Sequence, residues 1–261
     1  MAMIMATTVS AEVINHSQWN TLLQRHVSIV NDSGLAAGQA TVVDYQGMTA
    51  DREQLQQYLQ LLAQVGRADF DRWSQSQQLA FLINAYNAWT IELVLGRWPK
   101  LQSIKDVGGW FSSPWRKKFI PLLGQTRSLD DIEHELIRGS GRYNDPRIHF
   151  AVNCASIGCP ALRAEAYSGD TLDAQLEAQT QLFLADRSRN RINGNTLELS
   201  SIFSWCQQDF ERGWKGFNRL EEFILAYRES LELTLSQAEQ LKAGKLKIRY
   251  LDYNWQLNGK R

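Results

Sequence analysis

The chain has 261 residues, 44% of them hydrophobic, and nine tryptophans, which is enough apolar material for a packed core and argues against disorder. Lys and Arg together number 28, as do Asp and Glu, so the overall positive charge that non-specific nucleic-acid binding requires is missing. We therefore expect a folded protein with no nucleic-acid partner.

The N-terminal segment Met1 to Ala11 is nearly uncharged and ends in small residues, as the region before a signal-peptidase site does. We interpret residues 1–11 as the remnant of an export signal and residues 12–261 as the mature chain, located in the periplasm or secreted. The alternative is the frayed N-terminus of a cytoplasmic protein, because the apolar stretch is short and lacks a basic leader. No other segment approaches the roughly 18 apolar residues of a membrane span.

Apolar residues at helical spacing predict three helices in the N-terminal part of the chain. The first runs from Ser17 to Val30 and the second from Asp51 to Val65, with a short strand from Thr41 to Tyr45 between them. The third, from Gln77 to Leu95, is apolar on all sides. That pattern is typical of a buried helix.

Two amides interrupt the apolar surface of this third helix. Asn84 and Asn87 are three residues apart and therefore share a face. A buried amide without a partner costs on the order of 1 to 3 kcal/mol, so both side chains need hydrogen bonds. Either they tie the helix to a neighbouring loop, or they are site residues that orient a histidine or donate to an oxyanion.

A further helix is predicted from Ser128, which caps it, to about Arg138. Asp130, His134 and Arg138 follow one another four residues apart, on a different face from the apolar stripe. This row is either a solvated face with ordinary ion pairs, or it supplies a histidine positioned by Asp130 and an arginine for a carboxylate or phosphate.

A strand is predicted from Arg147 to Asn153, with Pro146 setting its boundary. Alternation along a strand would place His149 and Asn153 on one face and Cys154 on the other. A direct pair of His149 and Cys154 would therefore need the chain to turn after Asn153.

The chain has three cysteines, too few for a disulfide framework. Cys154 is a nucleophile activated by His149 or His134, a small buried hydrophobe, or half of a disulfide with Cys159. If the protein is exported, the pairing of Cys154 with Cys159 is the expected one, because the chain can turn at Gly158. The pattern does not decide between these three readings.

The C-terminal part alternates between helices and short strands. The predicted elements are helices at Leu172 to Phe183, Ile202 to Phe210 and Leu220 to Leu233, a hairpin at Arg191 to Leu199, and a strand at Lys245 to Tyr250. No linker, repeat or low-complexity tract divides the chain. The sequence therefore predicts one helix-rich α+β domain with a small mixed or antiparallel sheet and a central buried helix.

Signals for cofactors are missing from the sequence. There is no glycine-rich dinucleotide fingerprint, no phosphate loop and no cysteine or histidine spacing diagnostic of zinc. Four residues could together make a metal site, but nothing in their spacing favours it: Cys154, Cys159, His134 and His149. We expect no cofactor, no metal, and an unidentified small molecule or peptide as the ligand.

Several short blocks of the sequence have the character of a family signature. They are LAFLINAYNA at 79–88, SLDDIEH at 128–134, HFAVNCAS at 149–156, GCP at 158–160, SIFSW at 201–205, DF at 209–210 and YNWQLN at 253–258. Together they resemble the family called domain of unknown function 547, over nearly the whole chain. The resemblance implies a bacterial protein, often exported, and implies no defined reaction.

Carried across by position, the polar signature of that family falls on seven residues. They are Asn84, Asn87, His134, His149, Cys154, Ser156 and Cys159. The family more usually has an aromatic residue where Cys206 stands, so the resemblance discounts Cys206 as a nucleophile.

The leading functional hypothesis is a cysteine-dependent hydrolase or acyl transferase, with Cys154 as nucleophile and His149 or His134 as base. The residues expected to bind or orient the substrate are Asn84, Asn87, Ser156, Cys159 and Arg138. The alternative is a non-catalytic binding or scaffold domain, in which the same residues form a buried polar network. Both hypotheses predict that these residues converge in the folded protein, because each needs hydrogen-bond partners that its own segment does not supply.

Overall fold

The computed structural model describes residues 13–30, 39–107 and 113–260. The segment interpreted as an export signal, residues 1–11, lies outside these ranges. Within them the protein is a helix-rich α+β fold, as the sequence predicts. None of the helices in these ranges combines the length and the apolar character needed to cross a bilayer.

Most of the regular structure is helical. The α-helices are α1 Ser17–His26, α2 Tyr45–Ala50, α3 Arg52–Gln64, α4 Arg67–Phe70, α5 Gln75–Leu95, α6 Leu172–Ala185, α7 Ser201–Trp205, α8 Gln207–Phe210, α9 Leu220–Ala226 and α10 Leu235–Lys242. A π-helix spans Asp131–Arg138. Shorter 3-10 helices span Ile104–Val107, Pro114–Arg116, Pro146–Phe150 and Trp214–Gly216.

The strands are short and form three small sheets. They are β1 Val27–Ile29, β2 Thr41–Val43, β3 Ile120–Leu122, β4 Gln125–Arg127, β5 Arg191–Asn193, β6 Thr196–Ser200 and β7 Lys247–Leu251. Strands β1 and β2 pair antiparallel, as do β3 and β4. The third sheet is mixed, because β6 pairs antiparallel with β5 and parallel with β7, which confirms the predicted hairpin and terminal strand.

Helix α5 is the central buried helix that the sequence predicts. It begins with a capping box, in which Gln77 N donates to Ser74 Oγ at 3.2 Å and Ser74 N donates to the Gln77 side chain at 2.9 Å. Its side chains are buried on all faces, and it packs against α3, α6 and the π-helix. Because it is apolar all round, burial against several neighbours is the arrangement that removes its surface from water.

Replacing Leu82 by alanine should lower the free energy of unfolding by about 2 to 5 kcal/mol, because the lost side chain leaves a cavity. Leu82 is 1% exposed in the middle of α5. The matched control is Leu61→Ala on α3, at a position 42% exposed, where the expected change is within about 0.5 kcal/mol. Equal losses for the two variants in urea denaturation would contradict the central position of α5.

Several predicted boundaries shift because local pairing and capping override the hydrophobic pattern. The first helix ends at His26 rather than Val30, since Val27 instead pairs with Val43 between two strands. The predicted helix from Ile202 to Phe210 is broken at Cys206, which separates α7 from α8.

The predicted strand from Arg147 to Asn153 is wrong, because this segment begins with a 3-10 helix over Pro146–Phe150. The Asp145 side chain accepts from Arg147 N at 3.0 Å, and Pro146 occupies the first helical position. An acidic cap followed by proline is a helix start, and it prevails over the strand-like composition that follows. The alternating faces inferred for His149 and Cys154 therefore do not exist.

The buried apolar side chains form two clusters. The first gathers around α5 and includes Trp19, Phe81 and Tyr86. The second centres on aromatic rings, with Phe150 lying 5.7 Å from Phe203 between ring centroids. The segment from Phe150 to Val152 contributes to both clusters, so the chain that carries His149 runs along their boundary.

Candidate functional site

A cavity of about 310 Å³ lies at the boundary between the two apolar clusters. Tyr86 and Val152 contribute to its wall from the first cluster and Ile202 from the second. The charged and titratable side chains in the wall are Asp130, Glu133, His134, Arg138 and His149. All three cysteines of the sequence, Cys154, Cys159 and Cys206, also line this cavity.

Among the acidic and basic side chains that line the cavity, His149 is the most buried, at 3% exposed. Its Nε2 lies 2.7 Å from Asp209 Oδ2. Burial by itself would lower the pKa of His149, but the hydrogen bond with Asp209 and the nearby sulfur of Cys206 outweigh burial and raise the pKa to about 9. The imidazole is therefore protonated at neutral pH.

Asp209 is the buried counter-charge of the site. Its Oδ2 accepts from Arg138 Nε at 2.5 Å as well as from His149, and its Oδ1 pairs with Arg212 at 2.9 Å. Burial would raise the pKa of Asp209, but the hydrogen bonds from His149 and Arg138 outweigh it and lower the pKa to about 2. An ionised carboxylate only accepts, so Nε2 of His149 carries a proton.

Cys206 completes a row of three groups. It is a free, half-buried cysteine at the break between α7 and α8, it lines the same cavity as His149, and its sulfur is one of the groups that raise the pKa of His149. Its sulfur also interacts electrostatically with Arg138. The thiol of Cys206 and the imidazole of His149 thus both line the cavity, and the carboxylate of Asp209 orients His149 through a hydrogen bond.

The predicted row of Asp130, His134 and Arg138 begins at the N-cap of the π-helix and follows it to its last residue. It connects to the buried network of His149 and Asp209. Arg138 Nη1 donates to His134 Nδ1 at 2.8 Å, while His134 Nε2 lies 4.0 Å from Asp130 Oδ1. The His134 side chain is 48% exposed, so only its Arg138 neighbour reaches the buried carboxylate of Asp209. The row is more than a solvated face, because its last member holds the Asp209 group.

Cys154 and Cys159 are joined by a disulfide, with a Cα–Cα distance of 6.1 Å. The hydroxyl of Tyr253 lies 3.2 Å from Cys154 Sγ and 3.1 Å from Cys159 Sγ. The Ser156 hydroxyl lies 3.2 and 3.5 Å from the same two sulfurs. Of the three readings of Cys154, this structure shows the disulfide, so the prediction that Cys154 is a nucleophile applies only to the reduced protein.

The two asparagines of α5 do not reach the cavity lining, and both bind backbone instead. Asn84 donates to Tyr167 O at 2.8 Å and accepts from Tyr167 N at 2.9 Å. Asn87 donates to Ala151 O at 3.0 Å and accepts from Asn153 N at 2.8 Å. Asn87 therefore holds the chain that connects His149 to the disulfide loop, which is the structural alternative for these amides.

Sequence reasoning missed an aromatic wall on one side of the cavity. Its members are Trp115, Trp205, Tyr253 and Trp255. The rings of Tyr253 and Trp255 lie 4.4 Å apart, and Trp205 is 54% exposed beside them. The available signal was the position of Trp205, Tyr253 and Trp255 inside two of the resemblance blocks, SIFSW and YNWQLN, which did not indicate that they would meet.

Two acidic residues were also missed as site residues. Asp209 appears in the sequence only as part of the short DF block, and Glu133 only as one acid among several on its helix. In the fold, Glu133 lines the cavity, and its carboxylate adds to the effect of burial in raising the pKa of Tyr86. Within the ranges that the structure describes, no group of three or more His, Cys, Asp or Glu side chains is arranged to hold a metal ion.

The family model described as "Protein of unknown function, DUF547" matches residues 70–184. This match agrees in position with the sequence blocks between residues 79 and 160 that resemble the family. The match includes His149 and the disulfide loop, whereas Cys206, Asp209 and the aromatic residue Tyr253 lie beyond it. No curated protein and no solved structure gives a significant match to the chain.

Proposed function

We propose that this protein with a DUF547 domain is a thiol-dependent hydrolase or acyl transferase. Cys206 is the nucleophile, His149 is the acid and base, and Asp209 orients His149. The observation that carries the proposal is the row of these three groups at a cavity, with His149 buried between a free thiol and an ionised carboxylate. Nucleophile, base and orienting group in this order are the parts that covalent acyl transfer requires.

The proposed chemistry depends on which ring nitrogen of His149 is bonded to Asp209. Nε2 of His149 donates to Asp209, so Nδ1 is the nitrogen left to exchange a proton with the thiol. The Cys206 thiolate attacks a carbonyl carbon, forming a carbon–sulfur bond while the carbonyl electron pair moves to oxygen. His149 then protonates the leaving group as the carbonyl re-forms, which leaves an acyl thioester on Cys206. Water or another nucleophile, deprotonated by His149, attacks the thioester and releases the thiol.

The surroundings of the row suit this reaction. Arg138 keeps a positive charge at the cavity wall, where it can stabilise negative charge that develops on the substrate. The cavity volume of about 310 Å³ is at the small end of ligand sites. We therefore propose a small molecule, or the end of a peptide chain, as the acyl donor.

The choice of Cys206 over Cys154 rests on which of the two sulfurs is present as a thiol. In a disulfide, Cys154 has no thiol to deprotonate, whereas Cys206 is free and adjacent to His149. The family resemblance places an aromatic residue at position 206, so a reaction that depends on Cys206 would be a property of this chain rather than of the family.

The second candidate is a non-catalytic binding or scaffold domain. The observation that favours it is that Asn84 and Asn87 are fully used in binding backbone, as expected for a structural polar network. Location outside the cytoplasm belongs to either proposal, because a disulfide such as Cys154–Cys159 is most often found in oxidising compartments.

Alkylation of the oxidised protein with iodoacetamide, followed by peptide mapping, separates the two candidates. If Cys206 is paired with the His149 imidazolium, it should be alkylated at pH 7 faster than free cysteine and faster than Cys206 in the His149→Ala variant, because a neighbouring cation favours the reactive thiolate. With p-nitrophenyl acetate, the protein should release one equivalent of nitrophenolate in a burst, and Cys206→Ser should release none. A Cys206 that alkylates like free cysteine and gives no burst would favour the binding domain.

A further inference from the structure

We infer that the Cys154–Cys159 disulfide is a redox-active pair, which exchanges with the thiols of small molecules or peptides that enter the cavity. This activity would use different sulfurs from the acyl transfer proposed for Cys206 and does not depend on it. The inference rests on the accessibility of the two sulfurs, on the donors around them, and on the way the loop is held.

The two sulfurs differ in accessibility. Both cysteines line the cavity, but Cys154 is half-buried whereas Cys159 is 3% exposed. An attacking thiolate must approach one sulfur in line with the bond that breaks, and the accessible sulfur is the one it meets. Cys154 is therefore the residue that forms the mixed disulfide, and Cys159 is the residue that departs.

The departing sulfur of Cys159 is surrounded by hydrogen-bond donors. Cys154 N donates to Cys159 Sγ at 2.8 Å, and the hydroxyls of Tyr253 and Ser156 lie 3.1 and 3.5 Å from it. Donors at these positions stabilise the negative charge that collects on Cys159 as the bond breaks. A sulfur surrounded only by apolar groups would lack this stabilisation and would leave more slowly.

The disulfide contributes little to holding its own loop. The two cysteines are five residues apart, and cross-links that close short loops remove the least chain entropy from the unfolded state. Asn153 pins the loop independently, because its Nδ2 donates to Pro160 O at 2.7 Å and its Oδ1 accepts from Ala155 N at 2.9 Å. The loop therefore keeps its conformation when the bond opens.

The exchange balances without a further reactant. A substrate thiolate attacks Cys154 Sγ, a new sulfur–sulfur bond forms, and the Cys154–Cys159 bond breaks with its electron pair moving to Cys159, which takes up a proton. A second substrate thiolate attacks the substrate sulfur of the mixed disulfide and releases Cys154 as a thiol. Two substrate thiols become one disulfide, and the protein pair gains two electrons and two protons. A substrate disulfide reverses these steps.

The test uses the full chain with Cys206→Ser, which removes the thiol proposed for acyl transfer. The result is therefore independent of whether Cys206 has that role. In this background, Cys159→Ser leaves Cys154 as the single thiol and Cys154→Ser leaves Cys159. Both are treated with glutathione disulfide, and separately with the disulfide of a short cysteine-containing peptide, and mixed disulfides are followed by mass spectrometry. We expect Cys154 to react at least about tenfold faster than free cysteine and than Cys159.

The two probes identify the substrate. Reaction with glutathione disulfide alone indicates a small-molecule thiol, and faster reaction with the peptide indicates a peptide thiol. If Cys154 reacts no faster than free cysteine with either probe, the inference is wrong.

A second measurement keeps the disulfide intact. Tyr253→Phe retains the ring that packs against Trp255 but removes the hydroxyl near both sulfurs. Reduction of its disulfide by glutathione should be several-fold slower than in the parent protein, with an unchanged circular-dichroism spectrum. A disulfide that is only structural would be reduced at the same rate with or without this hydroxyl, and that result would overturn the inference.

Discussion

Replacing His149 by alanine is expected to slow the nitrophenolate burst by about 10² to 10⁴-fold, the range found when a general acid or base is lost. His149 hydrogen-bonds with the buried carboxylate of Asp209 and lines the same cavity as the free thiol of Cys206. Without it, Cys206 has no imidazolium beside it to favour the thiolate that attacks the carbonyl, and the leaving group has no acid to protonate it. The measurement is the rate of the burst with p-nitrophenyl acetate at pH 7.

The matched control is His134→Ala, which removes the other histidine of the same cavity. His134 is half-exposed, and its nearest polar contacts are Arg138 and Asp130. We expect the burst rate of this variant to stay within about tenfold of the parent protein, because no nucleophile depends on His134. If His134→Ala is the slower variant, the base has been assigned to the wrong histidine.

Asp209→Asn is expected to lower the free energy of unfolding by about 3 to 5 kcal/mol, the usual cost of removing one partner from a buried ion pair. The Asp209 side chain is 7% exposed and neutralises both His149 and Arg138. The amide has nearly the same shape but no charge, so two cations would face each other without their shared anion. Urea denaturation at pH 6.5 measures the loss.

The control for this substitution is Asp173→Asn, which makes the same chemical change at an ion pair whose carboxylate is exposed and whose arginine, Arg147, keeps two other acidic partners. Asp173 lies 2.6 Å from Arg147 but is 88% exposed, and exposed pairs contribute only about 0 to 1 kcal/mol. Equal destabilisation by the two variants would show that burial does not determine the strength of the Asp209 network.

The same variant should change how stability depends on pH. The pKa of His149 is raised to about 9, so its stabilising contribution is fully present below about pH 6.5, its unfolded value, and is lost as the pH rises towards the folded pKa. The pKa of Asp209 is lowered to about 2, so its contribution is present above about pH 3.9 and is lost as the pH falls towards the folded pKa. Stability should therefore fall between pH 6.5 and 9 in the parent protein and less in Asp209→Asn.

The elements that depend only on residues adjacent in the chain could be predicted from the sequence. Helix α5 was predicted from Gln77 to Leu95, two residues short of its observed start at Gln75, because its apolar surface is a property of neighbouring residues. The hairpin of β5 and β6 follows from a turn at Gly194, which adopts a φ of 58°. The need of Asn84 and Asn87 for partners was also predictable, since buried amides require hydrogen bonds whatever the fold.

The sequence by itself determined the helix-rich α+β class, the buried helix and the polar residues near positions 134 and 149–159. Only the tertiary structure decided that Cys206 and Asp209 meet His149, because these residues are more than 50 positions away along the chain and lie beside a helix break that no local pattern announced. The tertiary structure also decided that the side chains of Asn84 and Asn87 hydrogen-bond with backbone groups, and that the Tyr253 hydroxyl lies beside the disulfide. Contacts of this kind depend on how the two apolar clusters pack together, and packing is a property of the whole fold rather than of any segment.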